Sequence, residues 1–208
     1  REASGCVRCP LHEGRTNVVF GNGNANAALM FVGEAPGHHE DLQGLPFVGR
    51  AGQLLDELLG EIGLSRKDVF VANVLKCRPP GNRDPQPEEI DTCKPYLNRQ
   101  IELIEPKVIC TLGNFATKLL TRSNRGITGV HGRPQVHELG GRTVCVCPLY
   151  HPAAALRSTG TLGQLREDFA RLPALLDEPP PAPIGAVAPV AAAVATAVAE
   201  PPQMGLFG

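Results

Sequence analysis

The 208-residue sequence lacks long hydrophobic runs, an excess of charge of one sign and any opening segment that looks like a secretion signal. Because its apolar runs are too short and too interrupted to cross a bilayer, membrane enzymes are excluded and a soluble globular protein is expected. The formal net charge of −1 conceals a slightly basic body, since all 20 Lys and Arg residues lie at or before Arg171. The charge balance therefore neither favours nor excludes a nucleic-acid partner.

The end of the chain has a biased composition. Residues 178–202 contain seven Pro, nine Ala and four Val, with no aromatic residue. Such a segment buries too little apolar surface to offset the entropy lost on ordering. We therefore expect a folded domain over residues 1–177, a disordered Ala/Pro-rich linker over 178–202 and a short C-terminal peptide over 203–208.

Short apolar runs alternate with helical patterns in residues 1–177. The runs at 28–33, 69–74, 108–112 and 143–148 are nearly uniformly apolar, as is typical of strands buried on both faces. Helical spacing is found at 54–62, 87–104, 114–120 and 162–176. The pattern predicts an α/β protein, a three-layer α/β/α sandwich around a short, mainly parallel four-stranded sheet. Ligands bind such sheets beyond the carboxyl ends of the strands.

Seven cysteines in a chain without a secretion signal indicate a reducing compartment, where cysteines are thiols or metal ligands. Cys110, Cys145 and Cys147 lie inside strand patterns and are expected to be core thiols. The other four lie in polar, Pro-rich surroundings and are Cys6, Cys9, Cys77 and Cys93. Four thiolates suit either tetrahedral zinc or an iron–sulfur cluster, and the spacing alone does not choose between them. A redox C-x-x-C motif and unconnected structural thiols remain alternatives.

Five segments together resemble one family. They are GEAPG at 33–37, ED at 40–41, GLPFVGRAG at 44–52, NVLKCRPP at 73–80 and HPAAAL at 151–156. In this order, with the four cysteines, they resemble the family-four uracil-DNA glycosylases, the iron–sulfur members of that superfamily. The resemblance covers Cys6 to about Leu176. It implies a 4Fe-4S cluster on Cys6, Cys9, Cys77 and Cys93, and thus favours iron over zinc.

The resemblance also implies roles in excising a flipped base. Phe47, in a Gly- and Pro-bounded loop, resembles the residue that stacks on the base. Asn73 resembles the reader of uracil, because a side-chain amide can both donate and accept at the Watson–Crick edge. His151 resembles the donor to uracil O2, where negative charge gathers as the base leaves.

Further residues follow from the same resemblance. Glu34 resembles the carboxylate near the sugar, where it either orients water or stabilises positive charge. Gly33 and Ala35 are expected to offer backbone contacts to the base, and Glu40 is included by position alone. Leu156 resembles the wedge that fills the space left in the duplex.

Two features favour hydrolysis with turnover by a monofunctional enzyme. A related branch of the superfamily traps the sugar on a His in a basic insertion, and its first motif has Gln where this chain has Ala35. No such insertion lies between Cys77 and Cys93. The remaining histidines have no partner pattern and are expected to be surface or satisfied side chains: His12, His38, His39, His131 and His137.

Two other classes of function compete with this one. A non-catalytic iron–sulfur electron-transfer module would explain the cysteines but leave Phe47, Asn73 and His151 without a role. A nucleotide-binding domain could use residues 33–37 to hold phosphate, but the spacing matches neither familiar Gly-rich phosphate loop.

The C-terminal peptide resembles the short segment by which bacterial repair and replication proteins bind the sliding clamp. Its pattern is Gln203 followed by Leu206 and Phe207. We therefore expect a clamp as a possible partner beside uracil-containing DNA, single- or double-stranded. A monomer in the bacterial cytoplasm, associated with the nucleoid and not with a membrane, is the expected state.

Overall fold

The sheet of this computed structural model, which describes residues 3–182, has six strands. They are β1 (Asn22–Gly23), β2 (Leu29–Gly33), β3 (Val69–Asn73), β4 (Val108–Leu112), β5 (Gln135–Leu139) and β6 (Arg142–Leu149). Their spatial order is β1-β3-β2-β4-β6-β5, in which the four central strands are parallel and the two outer ones pair antiparallel. The α/β class and the mainly parallel sheet are thus confirmed.

The predicted number of four strands is wrong, because both edge strands were missed. β1 has only two residues, too few to give an apolar run. β5 alternates between half-buried and exposed positions, since it covers one edge of the sheet instead of entering the core. The four strands that were predicted are all buried along most of their length, and all four are found within about one residue of their expected bounds.

Eight α-helices accompany the strands in the described part of the chain. They are α1 (Leu11–Gly14), α2 (His38–Gln43), α3 (Arg50–Glu61), α4 (Pro87–Ile104), α5 (Asn114–Thr121), α6 (Pro152–Ala155), α7 (Thr159–Ala170) and α8 (Leu172–Asp177). Short 3₁₀ turns cover Pro80–Asn82 and Ile127–Gly129. Helices α4 and α5 pack on one face of the sheet, and α3, α7 and α8 pack on the other. The three-layer sandwich follows from these two cores.

The terminal helix expected over 162–176 is in fact two helices. Helix α7 begins after Ser158, whose hydroxyl accepts a hydrogen bond from Thr161 N at 3.2 Å, and it ends at Ala170. Pro173 is in the first turn of α8, where its missing N–H costs nothing, whereas it would interrupt the hydrogen bonds of one continuous helix. The final helix ends at Asp177.

Helix α4 starts at the predicted residue for a clear reason. Pro87 is its first residue, and Gln86 and Glu89 cap each other reciprocally. The Glu89 carboxylate also accepts hydrogen bonds from both ends of the Arg83 guanidinium, at 2.6 and 3.0 Å. This pairing fixes the loop that leads from Cys77 into the helix. Separately, no helix within residues 3–182 is both long and apolar enough to cross a membrane.

Candidate active site

A cavity of about 590 Å³ opens at the carboxyl edge of the parallel strands. The segments that follow β2, β3 and β6 meet there, together with the loop before α3. Its walls are formed by Glu34, Ala35, Pro36, Gly37, Glu40, Phe47, Ala51, Asn73, Pro79, Asn82, Arg83, Asp84, His151, Ala153 and Arg157. The structure therefore brings together six of the residues singled out in the sequence: Glu34, Ala35, Glu40, Phe47, Asn73 and His151.

Gly33 lies behind this cavity, and its lack of a side chain leaves room for two residues that line the cavity, Phe47 and Asn73. It is the register partner of Asn73 in the β2–β3 pair. A Cβ at position 33 would come within 2.3 Å of Asn73 Oδ1 and 2.8 Å of Phe47 Cζ. Only glycine therefore allows both side chains to occupy their observed places.

Asn73 ends β3 and is only 2% exposed. Its Oδ1 is buried without a hydrogen-bond partner. An unsatisfied buried polar atom costs about 1–3 kcal/mol and is rare in folded proteins. Since the residue lines the cavity, the unpaired oxygen is suited to accept a hydrogen bond from a bound ligand.

Phe47 and His151 both line the cavity and their rings stack on each other, with centroids 5.5 Å apart and an angle of 27° between the planes. The backbone of Phe47 has φ of 54°, in the left-handed region that non-glycine residues seldom adopt. Glu40 stabilises this loop from one side, because its Oε1 accepts hydrogen bonds from Val48 N at 3.0 Å and Gly49 N at 3.1 Å. The contacts of Glu40 are thus with the loop that carries Phe47.

His151 caps the N-terminus of α6, where its Nδ1 accepts a hydrogen bond from Ala153 N at 3.1 Å. With Nδ1 acting as an acceptor, the neutral ring carries its proton on Nε2. Burial lowers the pKa of His151 to about 4, although the charge of Glu40 acts in the opposite direction. At neutral pH the side chain is therefore an uncharged imidazole with a free Nε2–H donor.

Glu34 borders both the main cavity and a neighbouring groove of about 570 Å³. The groove shares Asp84 and His151 with the cavity wall and continues along Ile90, Phe115 and Lys118. Burial raises the pKa of Glu34, and the negative charge of Asp84 raises it further. The carboxyl group thus lies beside two connected spaces, in an environment that disfavours its ionised form.

Leu156 follows α6 and is 41% exposed, although it is a large apolar side chain. It lies outside the main cavity, next to Arg157, which lines the wall. The position at the rim agrees with the expected wedge and leaves that role a prediction.

The four cysteines outside the strand patterns line one small cavity. Its walls include Cys6, Cys9, Cys77 and Cys93. Arg15 Nη1 donates to Cys77 Sγ at 3.3 Å, and Lys76 N donates to Cys93 Sγ at the same distance. Burial, the larger effect, raises the pKa of Cys77 and raises that of Cys93 to about 11, and the two hydrogen bonds act in the opposite direction by favouring the thiolates. The donor set and the shared enclosure fit a group held by four thiolates.

Within residues 3–182, no three His, Cys, Asp or Glu side chains are close enough together to hold a single metal ion. The other three cysteines belong to or pack against the core around α3 and α7, as expected: Cys110, Cys145 and Cys147.

The remaining histidines lie outside the cavity. His131 Nδ1 pairs with Asp168 at 2.7 Å and its ring packs on Tyr150, while His38 contacts Arg78 at 3.2 Å. His12 hydrogen-bonds Cys9 O at 2.8 Å, and His137 contacts Gln135 at 3.2 Å. The terminal residues Gln203, Leu206 and Phe207 lie outside the part of the chain that the structure describes.

Sequence reasoning missed three charged residues that line the cavity: Arg83, Asp84 and Arg157. Asp84 belongs to the Pro-rich loop between Cys77 and Cys93, and Arg157 directly follows the last motif. Because Arg157 lies one residue beyond Leu156, the sequence could have identified it as a residue near the site. Nothing in the local pattern of Asp84 indicates that its loop folds over the end of β2.

Comparison with known proteins agrees with this geometry. A model of the uracil DNA glycosylase superfamily matches residues 20–172. The type-4 uracil-DNA glycosylase of Archaeoglobus fulgidus is 50% identical over 173 residues, which is 81% of this chain and 85% of that protein. The type-4 enzyme of Thermotoga maritima is 51% identical over 154 residues, or 74% and 79% of the two chains.

A type-5 uracil-DNA glycosylase of Pyrobaculum aerophilum is more distant, at 31% identity over 155 residues, covering 67% of each chain. The relatives with identities of 45–51% are all type-4 enzymes. The chain therefore belongs to the uracil-DNA glycosylase superfamily, in its type-4 group.

Proposed function

We propose that the protein hydrolyses the N-glycosidic bond of deoxyuridine in DNA, with the flipped uracil bound between Phe47, Asn73 and His151. The observation that carries the proposal is the cavity itself: an aromatic ring, an unpaired buried amide oxygen and a neutral imidazole donor converge on one space. The reaction leaves an abasic site for base excision repair. A non-catalytic iron–sulfur module gives none of these three side chains a role.

Base recognition follows from the chemistry of the uracil edge. A base inside a duplex cannot reach a buried side chain, so the nucleotide must leave the stack. Asn73 Oδ1 accepts from uracil N3–H and the amide nitrogen donates to O4. Cytosine has no proton on N3 and carries an amino group at position 4, so both contacts fail. Phe47 supplies the apolar face on which the base stacks.

Bond cleavage moves the electron pair of the bond between C1′ and N1 onto the uracil, where the charge is shared with O2. The Nε2–H of His151 donates to that oxygen as the charge develops, which lowers the barrier. Water adds to C1′ and loses a proton, which the departing uracil anion takes up, so that neutral uracil and an abasic sugar result. Glu34 lies beside the same space and is suited to orient this water or to stabilise the positive sugar.

Substitution of the two polar pocket residues tests the proposal directly. We expect the purified protein to convert a uracil-containing oligonucleotide to a form that alkali cleaves. His151→Ala should lower the single-turnover rate by about 10²–10³-fold, the loss found when one donor to a developing anion is removed. Asn73→Asp should lower the rate and reduce the preference for uracil over cytosine, because a carboxylate accepts but cannot donate.

His137→Ala is the matched control, since this half-buried histidine belongs to the edge strand and contacts Gln135. It should keep the wild-type rate. Wild-type activity in the His151 variant would exclude the proposed donor, and no cleavage by the unmodified protein would exclude the function.

The acid side of the pH–rate profile should report Glu34. Its pKa is raised by burial and by Asp84, so a falling pH neutralises Glu34 before it neutralises an ordinary carboxyl group. If the ionised form is active, the rate is full above this raised pKa and decreases as the pH falls through it. His151 stays neutral down to about pH 4 and does not contribute at higher pH. We expect Glu34→Gln to lower the rate and remove this limb.

Asp84→Asn provides the sharper test of the cause. Removing the neighbouring negative charge should move the acid limb to lower pH while leaving its shape unchanged. If the acid limb of the pH–rate profile stays at the same pH in Asp84→Asn, or is still present in Glu34→Gln, then a group other than Glu34 controls the acid limb.

For the cofactor, we propose a 4Fe-4S cluster on Cys6, Cys9, Cys77 and Cys93. When bound, such a cluster cross-links the segments that carry its thiolates. Here it would join the N-terminal residues to the loop after β3 and to α4. The support lies in the shared cavity, the two hydrogen bonds to sulfur and the similarity to type-4 enzymes.

Protein purified without oxygen should be brown and contain about four irons per chain. Cys77→Ser should lower both iron content and the melting temperature, because the cluster joins distant segments. Cys145→Ser, which alters a thiol packed against the core, should keep the iron. Stoichiometric zinc without iron, or full iron in Cys77→Ser, would contradict this assignment.

A last part of the proposal concerns the C-terminal peptide and a bacterial sliding clamp. Gln203 would bond at the rim of a clamp pocket, while Leu206 and Phe207 bury apolar area there. If residues 178–202 form the linker that the sequence predicts, a flexible chain of this length would span an r.m.s. distance of roughly 25–30 Å, enough to keep an enzyme beside clamp-bound DNA.

Calorimetric titration of the tail peptide against a bacterial clamp should give weak, reversible binding. The same peptide with Leu206 and Phe207 changed to Ala should not bind. Excision from free oligonucleotides should survive deletion of the tail, because the cavity lies wholly within residues 34–157. Equal behaviour of the two peptides would reject the clamp as a partner.

A further inference from the structure

Arg66, which lies 19 positions after Phe47 in the sequence, holds the loop that carries Phe47. Arg66 follows α3 and directs its guanidinium at the loop. Its Nη2 donates to Phe47 O at 2.8 Å and to Gly52 O at 3.4 Å, and its Nη1 donates to Pro46 O at 3.4 Å. Its Nε pairs with Asp56 of α3. One side chain thus ties together three carbonyl groups on both sides of the start of α3.

Phe47 needs such support because its backbone is unfavourable. A non-glycine residue in the left-handed region is strained and persists only where the surroundings hold it. The Phe47 carbonyl also lies so close to Gly52 that a Cβ at position 52 would be 1.7 Å from its oxygen. Little freedom therefore remains in how the loop enters the helix.

Packing alone does not hold the outer side of this loop. A groove of about 280 Å³ runs along it, with walls that include Leu45, Val48 and Gln53 as well as Arg66. Glu40 binds the N–H groups of Val48 and Gly49 on the side of the main cavity. The carbonyl groups are thus the part of the loop that depends on Arg66.

We propose that Arg66 is a positioning residue for uracil excision: by binding the carbonyls of Pro46, Phe47 and Gly52, it fixes the Phe47 ring opposite His151. The inference rests on the proposed function of the cavity. Arg66 does not line the cavity, so we expect no direct contact between it and the flipped nucleotide. Its effect passes entirely through the position of Phe47.

Arginine suits this task because its planar guanidinium directs five donors along fixed directions. Three of its nitrogen atoms are used here, two toward carbonyls and one toward Asp56. A lysine retains the charge but offers one compact donor group that cannot span both sides of the helix start. Charge and geometry can therefore be separated experimentally.

The first experiment measures single-turnover excision and inhibition by free uracil, the ligand that Phe47 contacts. We expect Arg66→Gln to lower the rate and weaken uracil inhibition, each by roughly ten- to a hundredfold, as a small misplacement of a reacting partner can. Arg66→Lys should recover only a small part of this loss. Arg99→Gln removes an equally charged side chain whose exposed pair with Glu102 lies on α4, and it should match the wild type.

A double-mutant cycle separates positioning from general stability. Phe47→Leu keeps an apolar side chain but removes the aromatic platform. If Arg66 acts through Phe47, adding Arg66→Gln to Phe47→Leu should cause little further loss. Equal losses in both backgrounds, or wild-type uracil inhibition in Arg66→Gln, would overturn the inference. Failure of the wild-type protein to excise uracil would instead overturn the proposed function.

Discussion

The parallel pairing of β2 with β3 is the interaction on which the site depends. Its register sets Gly33 beside Asn73, and the pairing continues past the strands, with Val74 N bonded to Gly33 O at 2.9 Å and Leu75 N bonded to Glu34 O at 3.0 Å. A slip of one residue would turn the Asn73 side chain to the opposite face. The pairing of β2 with β3 thus places the Glu34 carboxylate and the Asn73 amide at the same edge of the sheet before any ligand binds.

The turn after β3 also connects the main cavity with the small cavity that the four cysteines line. Lys76 is 1% exposed, and its ammonium group donates to Asn73 O at 2.7 Å and to Gln100 at 2.6 Å. Its backbone N–H donates to Cys93 Sγ, and Cys77 is the next residue. Asn73, the proposed reader of the base, and Cys77, a proposed cluster ligand, are therefore only four positions apart in the sequence. Burial lowers the pKa of Lys76 to about 7, and the two acceptors satisfy its buried nitrogen, so this side chain is compatible with a stable turn that connects α4 to the pocket.

The sequence was informative where a residue directly follows a buried strand. Asn73 and His151 could be placed at one edge because their strands are uniformly apolar and parallel strands end together. The short and half-exposed edge strands had no such signal. Arg66 could not be found either, since its contacts with the Phe47 loop join residues 14 to 20 positions apart with no repeating pattern. The role of Glu40 in binding backbone N–H groups likewise required the folded loop.

Several features of the site are unfavourable in the free protein. Phe47 has a left-handed backbone, Asn73 Oδ1 is buried without a partner, and His151 is held uncharged by burial. The first two cost about 1–3 kcal/mol each, and the fold tolerates them because the strand ladder, Glu40 and Arg66 restrict the alternatives. A base with a donor at N3 satisfies the amide oxygen, and an acceptor at O2 uses the imidazole proton. Of these costs, that of the unpaired amide oxygen is recovered only with a ligand that has a donor at this position, so the proposed pocket would favour uracil over cytosine.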